Sequence, residues 1–380
     1  MKSISISLSI AILLGTTACS KQNASKAHAD KAKNETSVTH AIKPVVITEA
    51  VKHDTDDPAI WVNAANPSES LVLGTDKNKD GALYVFDLDG KIIESKVVRG
   101  LKRPNNVDVE YGFMLNGKPV DIAVVTERMT NSLRIFTLPD MTPIDGGGIP
   151  VYEGETGSEF RDLMGIALYK SPADGKVYAI AGRKNGPADG TYLWQYLLED
   201  NGSGSVSATE VRRFGQFSGQ KEIEAIAVDD ELGYIYYSDE GIGVRKYYAE
   251  PDKGNEELAL FATENFSKDH EGISIYNLDN GTGYILVSDQ EAGRFHIFSR
   301  EGSAEDPHRH ELLKIVQVST LDSDGSEITS LPLNEKFKNG LFVAMSSDKT
   351  FQYYSWEDLA GDDLKVASGE DTTTLEANKK

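Results

Sequence analysis

The chain is predicted to be all-β, folded as a six-bladed β-propeller. Three observations predict it. Short strands and turns fill the middle of the sequence with almost no helical periodicity, and three kinds of strand recur there in a fixed order. The set of three repeats six times at intervals of roughly 50–60 residues, which is a propeller period.

The first kind of strand has a small or acidic start and then alternating apolar positions. Its copies are Asp57-Pro58-Ala59-Ile60-Trp61, Asn105-Asn106-Val107-Asp108-Val109, Met164-Gly165-Ile166-Ala167-Leu168, Glu224-Ala225-Ile226-Ala227-Val228, Glu271-Gly272-Ile273-Ser274-Ile275 and Asp324-Gly325-Ser326-Glu327-Ile328. The second kind is apolar and lies at 71–75, 121–125, 177–181, 234–237, 284–287 and 341–344. The third is aromatic, at 83–86, 133–136, 193–196, 244–247, 295–298 and 351–354. Each blade needs a fourth strand, and residues 44–50 offer one to the last blade, closing the ring.

Outside the repeats, Met1-Lys2 opens a short positive region, an apolar run covers 4–14, and Gly15-Thr16-Thr17-Ala18-Cys19 follows. This reads as a signal peptide over 1–18 whose lipobox-like end presents Cys19 for lipidation. Residues 19–42 are rich in Lys, Ala, Asn and Ser without apolar periodicity and read as a flexible tether. The propeller is assigned to 43–360 and a loose polar tail to 361–380. The chain is therefore expected to be exported and anchored to a membrane through Cys19. Ser20 favours the outer membrane in a Gram-negative host; if the lipobox is not used, the protein is periplasmic or secreted. Cys19 is the one cysteine, so no intrachain disulfide forms.

The formal net charge is −21, from 60 acidic against 39 basic side chains. Such a surface repels nucleic acid at long range and excludes it as a partner. A single closed propeller is expected to act as a monomer.

Inner strands of all blades run the same way along the channel, so equivalent positions converge on one rim. That place holds Asp56 and Asp57, Asn105 and Asn106, Asp162, Glu222 and Glu224, Asp269 and Glu271, and Asp322 and Asp324. The second strands end at the same rim with Asp76-Lys77, Glu127-Arg128, Arg183-Lys184, Asp239-Glu240, Asp289-Gln290 and Asp348-Lys349. Carboxylates gathered that closely repel one another and shift toward protonation unless cations neutralise them. An all-oxygen set suits a hard cation, and many flexible carboxylates favour calcium, with several ions, over magnesium. Of the seven histidines only His270 stands beside the acids, as a neighbour rather than a ligand, so zinc is disfavoured. Lys77, Lys79, Arg103, Arg128, Arg183, Lys184 and Lys349 share the rim, and Lys with Arg bind phosphate oxygens. Bound cations would reverse the local sign and let a polyanion approach. Asp76-Lys77-Asn78-Lys79-Asp80-Gly81 with Asp87 matches an EF-hand loop in spacing, but its flanks read as strands. No nucleophile elbow, catalytic cysteine or phosphate-cradling Gly-rich loop offers competing chemistry.

In order and spacing, four motifs resemble the β-propeller phytases over nearly all of residues 45–358. They are Asp56-Asp57-Pro58-Ala59-Ile60-Trp61, Asn105-Asn106-Val107-Asp108 with Tyr111-Gly112-Phe113, Glu224 with Asp229-Asp230-Glu231-Leu232-Gly233, and Asp269-His270-Glu271-Gly272-Ile273. The resemblance implies a calcium-dependent phosphomonoesterase acting on phytate or other inositol phosphates. It places calcium ligands at Asp57, Glu224, Glu240, Asp269, Glu271 and Asp324, with Asp56 close by. Phosphate contacts fall at Lys77, at Arg128 and at Arg183 or Lys184, and the catalytic group at Glu224, Asp57, Glu271, Lys77 and Arg128. The chain departs from the family at Met164, where a phosphate-contacting tyrosine is usual, and at Met345-Ser346-Ser347 and Ala225. It departs again before Asp324, where one ligand is missing or supplied by Asp322. A surface-anchored propeller that binds ligands with calcium as a structural ion is the alternative, and a propeller lactonase or other metal hydrolase the third reading.

Overall fold

Strands buried along their whole length, such as Leu71–Asp76, Gly81–Phe86 and Leu341–Ser346, must be covered on both faces of their sheet, and stacking six sheets around an axis achieves this. The computed structural model describes residues 41–367. Cys19, the signal peptide and most of the tether lie outside them.

The chain forms β1 (Val46–Ile47), then blade 1 from β2 (Thr55–Trp61), β3 (Leu71–Asp76), β4 (Gly81–Phe86) and β5 (Val98–Leu101). Blade 2 is β6 (Pro104–Leu115), β7 (Lys118–Glu127), β8 (Ser132–Leu138) and β9 (Ile149–Pro150). Blade 3 is β10 (Leu163–Lys170), β11 (Val177–Arg183), β12 (Leu193–Asp200) and β13 (Val206–Phe214). Blade 4 is β14 (Ile226–Asp229), β15 (Tyr234–Asp239), β16 (Gly243–Tyr248) and β17 (Ala259–Phe261). Blade 5 is β18 (His270–Asn277), β19 (Gly283–Asp289), β20 (Arg294–Ser299) and β21 (Leu312–Gln317). Blade 6 is β22 (Ser326–Thr329), β23 (Leu341–Ser346) and β24 (Thr350–Ser355), and β1 pairs antiparallel with β24 as its outer strand. The early chain thus closes the ring on the last blade, as the sequence predicts.

The core is divided among the blade interfaces. Trp194, Ile166 and Leu168 of blade 3 meet Ile122 and Val124 of blade 2, and Val72, Tyr84 and Phe86 of blade 1 meet Val343, Phe351 and Tyr353 of blade 6. The short helix α1 (Trp356–Ala360) buries Trp356 in a stack 4.0 Å from the Tyr276 ring. The segment after it is not loose through residue 367. The Tyr284 hydroxyl accepts from Lys365 N at 2.8 Å, the Tyr276 hydroxyl accepts from Ala367 N at 2.9 Å, and Lys365 O accepts from Trp356 Nε1 at 2.9 Å.

Two local features set the geometry at the channel mouth. The register of the inner strand against its neighbour shifts between Thr55 and Pro58, Pro104 and Val107, Leu163 and Ile166, and His270 and Ile273. Such bulges break the strict alternation of faces, which frees consecutive residues such as Asp56 and Asp57 from the ladder. Glycine then lets adjacent inner strands touch. A Cβ on Gly165 would lie 1.9 Å from Glu224 O, and one on Gly325 would lie 2.4 Å from Asp57 Oδ1. Replacing Gly165 by alanine is therefore expected to destabilise the protein by about 1–3 kcal/mol through overpacking. Denaturant unfolding checks this, and a variant as stable as the parent would show that the strand contact is not tight.

Candidate active site

Strand alternation divides the work of the second strands between two consecutive residues. Their last residues, Asp76, Glu127, Arg183, Asp239, Asp289 and Ser346, are all buried. Each holds the loop that leads into its own blade. Asp76 Oδ1 accepts from His53 N at 3.0 Å and Asp54 N at 2.7 Å, and Glu127 Oε1 accepts from Lys102 N at 2.6 Å. Asp239 accepts from Ser218 N at 3.0 Å, Asp289 from Ser267 N at 2.9 Å, and Ser346 Oγ from Leu321 N at 3.1 Å. In blade 3 the arginine does the same with its own donors: Arg183 Nη1 donates to Glu155 Oε2 at 2.9 Å and to Phe160 O at 3.1 Å.

In blades 1 to 5 the following residue, Lys77, Arg128, Lys184, Glu240 or Gln290, lines the mouth, where two clefts meet. An acidic cleft of about 600 Å³ is lined by Lys77, Lys221, Glu222, Glu224, Glu240, Asp269, Glu271, Gln290 and Asp324 among others. A basic cleft of about 450 Å³ is lined by Arg103, Arg128, Met129, Asn131, Glu159, Asp162 and Lys184. Glu159 and Lys184 line both, so the two clefts are contiguous.

Within the acidic cleft, carboxylate oxygens of Glu240, Asp269 and Glu271 lie within 4.8 Å of one another, as do those of Glu222, Glu224 and Glu240. Glu240 Oε1 and Glu271 Oε2 are buried with no hydrogen-bond partner. Orphaned acceptors on converging carboxylates are what a hard divalent ion would satisfy, so these residues fit a metal. Asp56 lies behind this lining. It contacts Lys77, and Asn105 Nδ2 bridges Asp56 Oδ2 at 2.9 Å to Glu224 Oε1 at 2.7 Å. Lys77 Nζ also lies 3.4 Å from Asp324 Oδ2, and Gln290 donates to the other oxygen of Asp324. Asp57 does not line the cleft; its Oδ2 accepts from Val107 N at 3.0 Å. Lys184 Nζ lies 3.6 Å from Glu222 Oε2, spanning the boundary between the clefts.

Several expectations change. Arg183 is enclosed rather than at the mouth: its guanidinium lies 4.4 Å from the Tyr152 ring centroid, is fully buried, and donates to Glu155 and to Phe160, Thr191 and Tyr192 carbonyls. As the last residue of its strand it faces inward, and Lys184 takes the cleft position. Lys79 is exposed on the hairpin turn and lines neither cleft. Asp348 and Lys349 are turn residues beyond the end of β23, so the sixth pair is Ser346 and Ser347. Asp322 is exposed, accepts from Ser347 Oγ at 3.4 Å and lines neither cleft. In the EF-hand-like string, Asp76 is committed to backbone amides between two strands, so the string is a hairpin. Met164 packs against Arg128, whose Nε donates to Leu163 O at 3.0 Å.

Glu222, placed at the rim by the repeat, joins the acid group with Glu224 and Glu240, whereas Lys221 has no place in the repeat. Lys221 sits on a coil and had no signal in the sequence.

Burial, and then repulsion from Glu224, Glu222 and Asp269, pushes the Glu240 carboxyl up to about 9. Burial raises Glu224 to about 6, with Lys77 opposing the shift and Asp324 and Glu222 adding to it, and burial with repulsion from Glu224 and Glu240 takes Glu271 well above the ordinary range. A carboxyl raised in the folded state stabilises it most below the ordinary value of 4.5 and loses that contribution as pH climbs through the shifted one. The chelator-treated protein should therefore melt at progressively lower temperature from pH 6 to about 9, the upper limit being the shifted Glu240 value. Added calcium should restore more stability at the upper end, because each bound ion displaces protons. A melting temperature independent of pH in chelator, with an equally flat calcium effect, would contradict this.

A family model described as Phytase matches residues 2–365. A 3-phytase from Bacillus subtilis (strain 168) is 31% identical over 320 residues, covering 80% of this chain and 80% of that protein. With every strand of the propeller inside the match, the chain belongs to the phytase family.

Proposed function

We propose that this protein hydrolyses phosphomonoesters of phytate, myo-inositol hexakisphosphate, releasing inorganic phosphate in a calcium-dependent reaction at the channel mouth. The observation that carries this reading is the junction of an acidic cleft with a basic one across Lys184. Glu224, Glu240, Asp269, Glu271 and Asp324 are the residues that would hold calcium, with Asp56 held behind them by Lys77. Bound calcium would offset the carboxylate charge, polarise a phosphoryl oxygen and lower the pKa of a water.

The chain's own residues supply the rest. Arg128, whose Nε is fixed by Leu163 O and whose Nη2 lies against Met164, would offer its remaining donor group to a phosphate in the basic cleft beside Arg103. Lys184 reaches either cleft and so can hold a phosphate next to the one being cleaved. Lys77, half-buried between Asp56 and Asp324, keeps its proton: desolvation alone would depress its pKa, but Asp56, Glu224 and Asp324 raise it well above the usual lysine range. It therefore stays cationic at any working pH and can steady a phosphoryl oxygen. A polyphosphorylated substrate suits a site with adjacent anion-binding clefts better than a monophosphate does.

Purified protein should release phosphate from inositol hexakisphosphate with calcium and stop after chelation. Glu224→Gln should lower kcat by about a hundredfold or more, the scale of losing one preorganised electrostatic group. Absence of release at every calcium concentration from about 0.1 to 5 mM, which spans weak extracellular sites, would defeat the proposal.

A further inference from the structure

Three lysines meet carboxylates in the acidic cleft, and they are not alike. Lys77 is part of the wall: its side chain is 16% exposed and it contacts two acids, Asp56 and Asp324. Lys184 stands 3.6 Å from Glu222. Lys221 is built differently. It follows Gly219, whose φ is +72°, on the coil between β13 and β14. Its side chain is 46% exposed, and its ammonium contacts Asp269, whose own side chain is 11% exposed.

Asp269 is a member of the Glu240–Asp269–Glu271 group, in which Glu240 Oε1 and Glu271 Oε2 have no hydrogen-bond partner. Among the described residues Lys221 is the cation that an ion pair joins to this group. The bond to Asp269 in turn draws the lysine's pKa upward. A divalent ion seated among the same three carboxylates would bond to oxygen at about 2.3–2.6 Å. It would then meet the ammonium as a like charge competing for one carboxylate. The lysine can yield, because a flexible four-carbon stem rooted on an exposed coil reaches water without moving a strand. Lys77, enclosed between two acids, cannot.

We propose that Lys221 is a tethered counter-ion of the Glu240–Asp269–Glu271 group: it holds Asp269 while no divalent ion is bound and must leave for one to bind. It thereby weakens the site's ion affinity and steadies the ion-free propeller. This rests on the reading that the group binds calcium.

The test is calorimetric titration of the chelator-treated full chain with calcium chloride, together with melting in chelator. Lys221→Met keeps the stem and removes the charge. It should bind calcium about threefold more tightly, the scale of one partly exposed ion pair, and should melt at lower temperature than the parent in chelator. Lys221→Arg keeps the charge and should stay near the parent in both measurements. In an Asp269→Asn background, Lys221→Met should change calcium affinity no further. Unchanged or weaker calcium binding by Lys221→Met, with the parent binding normally, overturns the counter-ion role alone. A parent that binds no calcium overturns the calcium reading of the site and the inference with it.

Discussion

Repulsion among carboxylates at the channel mouth is the constraint around which this propeller is organised. Two unit charges 4.8 Å apart, the outer limit in each acid group, repel by roughly 3 kcal/mol at an effective dielectric of about 20. A partly exposed lysine pair contributes about 1 kcal/mol or less. Lysines alone therefore cannot balance Glu222, Glu224, Glu240, Asp269 and Glu271, and the ion-free protein relieves the remainder by keeping protons on Glu240 and Glu271. Cations or protons therefore stabilise the mouth, and without an ion that stabilisation fades as pH climbs toward about 9. Such an arrangement is tolerated because tightly packed blades hold the acids there, and it fits a site whose task involves metal.

The hold comes from one-residue precision at strand ends. A buried residue at the end of each second strand grips the entering loop, and in blades 1 to 5 its successor turns to the opening. The same division explains why blade 3 contributes Lys184 and not Arg183. There the grip is an arginine among Tyr152, Phe160, Tyr192 and Trp194, holding Glu155 and thereby the loop that carries Glu159 and Asp162 to the cleft wall. Glycines at 165 and 325 complete the hold by letting Glu224 and Asp57 come up against neighbouring strands.

The architecture was legible in the sequence because its signal is repetition. Apolar alternation and aromatic strands at regular intervals define six sheets, and the 44–50 segment had no competing role. The convergence of Glu224, Glu240, Asp269, Glu271 and Asp324 followed from the same register. Side-chain direction within a pair was less legible: Asp76-Lys77 and Arg183-Lys184 look alike as rim residues, and only the end of the strand decides which member is buried. In blade 6 the strands fall where the repeat places them and only the rim pair differs, because Asp348-Lys349 imitates an acid–lysine pair whereas the equivalent Ser346-Ser347 carries no charge. Bulges and coil residues lay beyond periodicity altogether. Asp57 turns from the cleft lining toward Val107, and Lys221 reaches Asp269 from a segment with no repeat.

Diffraction from calcium-grown crystals at a wavelength where calcium scatters anomalously tests the central claim most directly. Peaks should appear within coordination distance of Glu240, Asp269 and Glu271, and at the neighbouring group around Glu224. Saturating calcium with no peak there would contradict the account, all the more if Asp269 still faced the Lys221 ammonium.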